Sequence, residues 1–244
     1  MEIKPFGDTA IRISFGDQIS MTVNKRIRSL VQLIRERDIP AVQEWIPAYT
    51  SVTVIYDPAV SRYESVRAEL EKLQSYIAST NLPSAKRIRL PVYYGGESGP
   101  DLANVAEING LTPDEAVKLH SSHDYYIFMI GFTPGFPYLG GMPKALTAPR
   151  LTAPRKKVPQ GSVGIAGEQT GVYSLTTPGG WQIIGHTPVR LYDPDRDPPV
   201  LLESGDYLRF DPVSSDEYSR IVTAVSEGTY QLLIESYNES TKES

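Results

Sequence analysis

Along Ile11, Ile13 and Phe15, apolar side chains alternate with Arg12 and Ser14, the period of a strand with one buried face. Gly16 and Asp17 end that run. From Ser20 onward the period lengthens. Ile27, Leu30, Val31 and Ile34 recur at i, i+3, i+4 and i+7, with Lys25, Arg26, Arg28, Arg35 and Glu36 between them, which predicts an amphipathic helix stopped before Pro40. Val42–Ile46 and Ser51–Tyr56 read as two strands joined around Pro47 and Ala48, and Asp57-Pro58 closes the second. Val66, Leu70, Leu73 and Ile77 mark a second amphipathic helix, with Glu64, Arg67, Glu69, Glu71 and Lys72 left for water. The order strand, helix, strand, strand, helix predicts a small α+β domain of ferredoxin-like type over residues 1–82, two helices covering one face of an antiparallel sheet. The basic run Lys25–Arg28 reads as a solvated helix face.

Residues 79–86, STNLPSAK, break the periodicity and read as a linker. Beyond it, Arg87–Tyr94 alternates into a strand, Leu102–Ile108 forms a short helix, and Thr112, Pro113 and Glu115 combine a cap, a first-turn proline and a capping-box acid ahead of a helix ending near Ser122. Short strands follow at Tyr125–Ile130, Ser162–Ala166, Gly171–Leu175, Trp181–Gly185 and Val189–Tyr192. Leu201–Leu202, Tyr207–Phe210 and Tyr230–Glu235 extend the series, with one helix over Ser215–Val225. Many short strands with Gly and Pro turns predict a closed or nearly closed β-barrel over residues 87–238, followed by a frayed tail at residues 239–244.

Composition narrows the classes. The chain has 244 residues, enough for two small cores, and its 40% hydrophobic and 22% charged content is that of a folded protein. A net charge of −5 gives no global field for nucleic acid or an anionic membrane. With no cysteine, thiolate nucleophiles and disulfides are excluded. The N-terminal MEIKPFGDTAIRISFGD has no leader pattern and no run reaches membrane-spanning length, so a cytoplasmic protein is expected.

The stretch from Tyr125 to Pro188 is dense in Gly and Pro with aromatic and β-branched residues between, a description of a shaped pocket rather than of a reaction. Within it lie GFTPGFPYLGGMP at Gly131–Pro143, the dipeptides Pro149-Arg150 and Pro154-Arg155, VPQGSVGIAG and PGGWQIIGHTP; upstream lie GGESGPDLANVAE and GLTPDEAVKLH. Together and in this order they resemble the allophanate hydrolase subunit 1 family, better described as the B subunits of bacterial 5-oxoprolinases. The resemblance covers the whole chain, because that family also begins with a small α+β domain. It implies a cyclophilin-like barrel for the C-terminal domain. It also implies one component, inactive alone, of an ATP-dependent amidohydrolase that opens 5-oxoproline to L-glutamate together with a C subunit and a lactam-binding A subunit. Within the family the sequence is most similar to a branch that inhibits a sporulation sensor histidine kinase by binding its dimerisation helices, so that kinase is a second implied partner. Two alternatives remain: a dedicated kinase inhibitor without catalytic role, and a component of a related urea- or allophanate-type amidohydrolase. A prolyl isomerase rests on shared fold alone and ranks third.

Arg150 and Arg155 stand in the repeat TAPRLTAPRK, and a guanidinium suits a carboxylate, such as that of 5-oxoproline, or a phosphate; the competing reading is that either satisfies a loop carbonyl or an acid of the fold. His120 falls on the family pattern as a substrate or anion contact, or as a hydrogen-bonded structural histidine; His186 stands where the family pattern leads one to expect arginine. His120 and His123 complete no zinc pattern, so no metal is expected. Ser162 in QGSVG lacks the nucleophile-elbow spacing, and Glu168 sits at an expected hairpin tip. Phe132, Phe136, Tyr138 and Trp181 are candidates for a groove that accepts a partner, or for core. Neither GxxxxGK[ST] nor GxGxxG occurs, so ATP, if used, is held through the complex.

Overall fold

The computed structural model describes residues 1–237 and divides into two compact units, the first Met1–Pro83 and the second beginning at Ser84. The expected frayed tail, residues 239–244, lies outside the described residues. Among the described residues no helix is long and apolar enough to cross a membrane.

The first unit runs β1 (Glu2–Pro5), β2 (Ala10–Ser14), α1 (Met21–Arg37), β3 (Val42–Pro47), β4 (Ser51–Tyr56) and α2 (Tyr63–Leu73), then a 3₁₀ turn at Gln74–Ser79. Its sheet is antiparallel throughout, in the order β1-β2-β4-β3. The Ser20 side chain accepts the Val23 amide at 3.2 Å and starts α1, and Asp38 at φ 44 ends it. Ile27, Leu30 and Ile34 then bury one stripe with Ile11, Ile13, Val52 and Val54 of the sheet, each worth about 1.5–3 kcal/mol of apolar transfer. On the basic side of α1, Arg26 lies over the Phe15 ring, 4.9 Å from its centroid. The expected order of strands and helices is present. One strand was not foreseen: β1, which supplies the outer edge from before β2, whereas after α2 the chain leaves the sheet through the 3₁₀ turn and Pro83. The unit is thus a four-stranded sheet with two helices.

The second unit contains β5 (Lys86–Tyr94), α3 (Leu102–Ile108), α4 (Pro113–Ser121), β6 (Asp124–Ile130), β7 (Pro137–Gly140), β8 (Arg155–Val158) and β9 (Ser162–Ala166). These are followed by β10 (Gln169–Val172), β11 (Thr177–Gly179), β12 (Gln182–His186), β13 (Tyr207–Pro212), α5 (Ser215–Ser226) and β14 (Leu233–Ser236). The main sheet runs β10-β9-β12-β5-β13-β6-β7, with β7 alongside β10, so the sheet curls into a nearly closed barrel. The long β5 makes this possible. Along one edge Lys86–Arg89 pair with β14 while Tyr93 and Tyr94 pair with β12; along the other, β13 runs parallel to it. Leu90, Val92, Tyr125, Ile127, Val163, Ile165, Leu208 and Phe210 fill the interior. The capping box of α4 forms: the Thr112 hydroxyl accepts the Glu115 amide, and the Glu115 carboxylate accepts the Thr112 amide at 2.8 Å.

Two expected strands do not form. Val189–Tyr192 and Leu201–Leu202 are irregular, joined near Tyr192 and Val200 by a single bridge, although Val189, Leu191 and Leu202 are buried. Arg196 explains how buried chain there does without a ladder. Its guanidinium donates to the carbonyls of Arg190, Leu191, Pro198 and Pro199, supplementing the two backbone bonds between the segments, from the Leu201 amide to Leu191 and from the Asp193 amide to Pro199. Tyr230–Glu235 shortens to β14, and the strands expected at Gly171–Leu175 and Trp181–Gly185 shift to Gln169–Val172 and Gln182–His186. Strands β7, β8 and β11 were not foreseen.

Candidate functional site

The segment Gly131–Phe136 enters the site as a knot of tight turns. The Thr133 amide donates to the Gly131 carbonyl at 2.8 Å around Phe132, whose φ is 67. This is a γ-turn with a positive central φ, the less common and strained form. It holds the Phe132 ring 75% exposed while leaning it edge-on against buried Phe136, centroids 5.9 Å apart. Phe136 in turn meets Tyr138, Tyr173 and Trp181 edge-to-face at 5.5, 6.0 and 5.7 Å.

These rings wall a cavity of about 190 Å³ completed by Arg150, Gln169 and the backbone of Pro178–Gly180. It therefore gathers all four aromatic candidates and one of the two arginines. Among the described residues no carboxylate lines it, and Arg150 is exposed with neither hydrogen bond nor ion pair. Small pockets of this kind take a compact ligand, with the lone cation fixing the orientation of an anionic group.

Arg155 is spent elsewhere. Its guanidinium meets the Asp101 carboxylate at 2.7 Å and the Trp181 carbonyl at 3.4 Å, and the second Asp101 oxygen accepts the Ile183 amide at 2.6 Å. The pair ties β8, the start of α3 and β12 together behind the Trp181 wall. His120 lies outside the cavity, inside the barrel. Thr170 Oγ1 donates to the Gly164 carbonyl and so must accept from His120 Nε2, at 2.8 Å; Nδ1 then accepts from the Tyr94 hydroxyl, also at 2.8 Å. The ring stacks on Phe210, centroids 4.5 Å apart. Burial, assisted by the nearby His123, lowers its pKa to about 3, which keeps the imidazole neutral. His186 has a similar fate: Nε2 donates to the Gln160 carbonyl and Nδ1 accepts from the Tyr218 hydroxyl, each at 2.8 Å. Burial lowers its pKa, against the pull of the Gln160 carbonyl.

Three other residues sit as their sequence context suggests. Ser162 is buried in β9; Glu168 is exposed in the two-residue turn between β9 and β10, where Gly167 takes φ 58; His123 is an exposed neighbour of Ser122 and Leu119. Among the described residues no cluster of three His, Asp or Glu has metal-binding geometry. Tyr173 and the Pro178–Gly180 backbone are the lining elements that sequence reasoning missed. Their signal was the PGGW run: a side chain on Gly179 would collide with the Tyr173 hydroxyl, so the glycine is what lets the phenol sit there. Burial raises the Tyr173 pKa, opposed by the Trp181 amide and by the charges of Arg150 and Arg155, so the phenol keeps its proton at neutral pH.

Comparison with known proteins places the chain. Residues 1–202 match the family described as carboxyltransferase domain, subdomain C and D. The 5-oxoprolinase B subunit of Bacillus subtilis is 44% identical over 89% of this chain and 95% of its own length, and that of Escherichia coli O157:H7 is 46% identical over 84% and 93%. The urea carboxylase of Kluyveromyces lactis superposes on 96% of this chain and 23% of its own with a TM-score of 0.75; at 18% identity that likeness is one of fold. The chain belongs to the carboxyltransferase subdomain C and D family, and within it to the group of the 5-oxoprolinase B subunits.

Proposed function

We propose that this chain is the B subunit of a cytoplasmic, ATP-dependent 5-oxoprolinase complex that opens 5-oxoproline to L-glutamate with a C subunit and a lactam-binding A subunit. The observation that carries the reading is the single unpaired cation, Arg150, at the mouth of a small aromatic cavity free of acids among the described residues. A five-membered lactam bearing one carboxylate matches that cavity: the ring lies among Phe136, Tyr173 and Trp181, and the carboxylate meets Arg150. The relatives named as 5-oxoprolinase B subunits, alike over nearly their whole length, support the same assignment.

Ring opening adds water across the lactam C–N bond, and it needs activation of the amide oxygen together with a nucleophile. The sequence carries no phosphate loop, and no serine or cysteine lines the cavity among the described residues. The chain's part is therefore to bind and orient, with ATP held at a seam between subunits or by a partner, on a barrel of cyclophilin-like type. The test is to mix the purified subunits and follow glutamate release from 5-oxoproline with and without ATP. Turnover is expected only in the complete, ATP-containing mixture. Activity from this chain alone, or an inert complete mixture, refutes the reading, and running allophanate and urea in parallel tests the related amidohydrolase alternative.

A second reading rests on Phe132, a large ring held 75% exposed on a strained turn at the cavity rim. Exposed aromatic anchors of this kind dock partners, here the dimerisation helices of a sensor histidine kinase whose autophosphorylation is then blocked. It predicts a complex with the purified kinase core that the folded Phe132→Ala variant fails to form.

A further inference from the structure

The aromatic residues and the cation of the cavity share it with a third kind of group: a polar hydrogen that the protein leaves unspent. Tyr173 is almost wholly buried, its ring packed against Phe136 and Trp181, and its hydroxyl reaches the cavity beside Gly179. The Trp181 backbone acts on the phenol oxygen and lowers its pKa against the effect of burial. Among the described residues the phenol makes no hydrogen bond, so its own hydrogen is given to no acceptor. A hydroxyl with an unspent donor, carried on a buried ring and opening on a cavity without carboxylates, is arranged for a ligand acceptor.

We infer that Tyr173 is a ligand-binding and specificity-determining residue: its hydroxyl donates to the ring carbonyl of a small cyclic amide whose carboxylate is held by Arg150. The substrate class rests on the function proposed above, but the division of labour does not follow from it. Two donors at separate points of one cavity read two oxygens of the same ligand, so a molecule lacking either oxygen loses one contact and keeps the other. Gly179 belongs to this device, since any side chain there would displace the phenol.

Trp181 offers a direct reporter, because the chain has two tryptophans and Trp45→Phe leaves Trp181 alone. In that background, Trp181 fluorescence is titrated with 5-oxoproline, with 2-pyrrolidinone, which lacks the carboxylate, and with cyclopentanecarboxylate, which lacks the amide. Tyr173→Phe, which keeps the ring, is expected to weaken 5-oxoproline and 2-pyrrolidinone about tenfold and to leave cyclopentanecarboxylate unchanged. Arg150→Gln is expected to weaken the two carboxylates about tenfold or more and to spare 2-pyrrolidinone. Circular dichroism and urea midpoints establish that both variants are folded. Equal loss of all three ligands in Tyr173→Phe, unchanged 5-oxoproline affinity, or no Trp181 response to any of them overturns the proposal. The two readings fail separately. Unaltered 5-oxoproline binding in Tyr173→Phe beside normal turnover by the mixed subunits removes only this inference; the expected binding pattern beside an inert mixture removes only the enzymatic assignment.

Discussion

Arg155 and Asp101 stand 2.7 Å apart, and the Asp101 oxygen not engaged by Arg155 accepts the Ile183 amide at 2.6 Å. Arg150, five positions earlier in the same repeat, makes no such pair. Two arginines in nearly identical sequence contexts are thereby separated into a brace and a free cation. Arg155→Ala leaves a mostly buried carboxylate with one partner fewer and is expected to cost about 1–2 kcal/mol, the lower part of the range for buried pairs because the Arg155 side chain is 32% exposed. Arg150→Ala is expected to change stability by less than about 0.5 kcal/mol while weakening 5-oxoproline binding about tenfold or more. Urea denaturation and ligand titration on the two variants check the contrast, and a reversal of the two effects would sink it.

His120 predicts a pH dependence. In the unfolded chain its pKa is that of an ordinary imidazole, 6.5; in the fold it is about 3. Between those values the unfolded state binds the proton and the native state does not, so stability is full above pH 6.5 and is lost as pH falls towards 3. His186, lowered in the same direction by burial, adds to the loss just below 6.5. Each such group contributes a slope of at most about 1.4 kcal/mol per pH unit. His120→Gln is expected to be less stable at about pH 7, since it forfeits the stack on Phe210 and disturbs the Tyr94 and Thr170 hydrogen bonds, and to lose stability less steeply between about pH 6 and about pH 4. Urea midpoints at half-unit intervals read both effects. An unchanged slope means that other groups carry the acid sensitivity.

Gly179→Ala tests the approach of Tyr173 to the β11 backbone. The added methyl would collide with the phenol oxygen, so either β11 or the Tyr173 ring has to move. The expected cost is about 1–3 kcal/mol, with loss of the Trp181 fluorescence response because the ring shifts into the cavity. Gly180→Ala is the control: its methyl would meet Pro154 at ordinary contact distance, 3.5 Å, and should be tolerated far better. Equal tolerance of the two substitutions would mean that the phenol has slack.

Hydrophobic periodicity read the first unit well, because Ile11, Ile13, Ile27, Leu30 and Ile34 each face one core from a regular element. It failed where burial and regularity part company. Leu191 and Leu202 are as buried as any strand residue, yet two backbone hydrogen bonds and the Arg196 side chain, rather than a continuous ladder, hold that segment. Conversely β8, RKKV, and β11, TPG, pair with each other with little apolar patterning to announce them. At the site, aromatic residues in the Gly- and Pro-rich stretch were legible as a set. The distinction between Arg150 and Arg155 was not, since it depends on Asp101, which lies 54 positions from Arg155 and reaches it only when α3 is packed against β12. Tyr173 was hidden for the same reason: its value lies in the room left by Gly179.

Phe132 provides the sharpest separation of stability from function. Its φ of 67 is unfavourable for a residue with a β-carbon, by about 1 kcal/mol or more, and is natural for glycine. Its ring is 75% exposed, so little apolar burial offsets that strain beyond the edge-on contact with Phe136. Phe132→Gly removes the strain but also loosens the unfolded chain, and these two effects nearly cancel. The variant is therefore expected within about 0.5–1 kcal/mol of the parent in stability, whereas Phe132→Ala keeps the strain, loses the ring contact and is expected to be the less stable of the two. Both should lose the complex with the kinase core, because both lack the anchoring ring. If Phe132→Gly binds the kinase core normally, the exposed aromatic is no docking element; if it is several kcal/mol less stable than the parent, the ring contributes to the fold and its exposure has another origin.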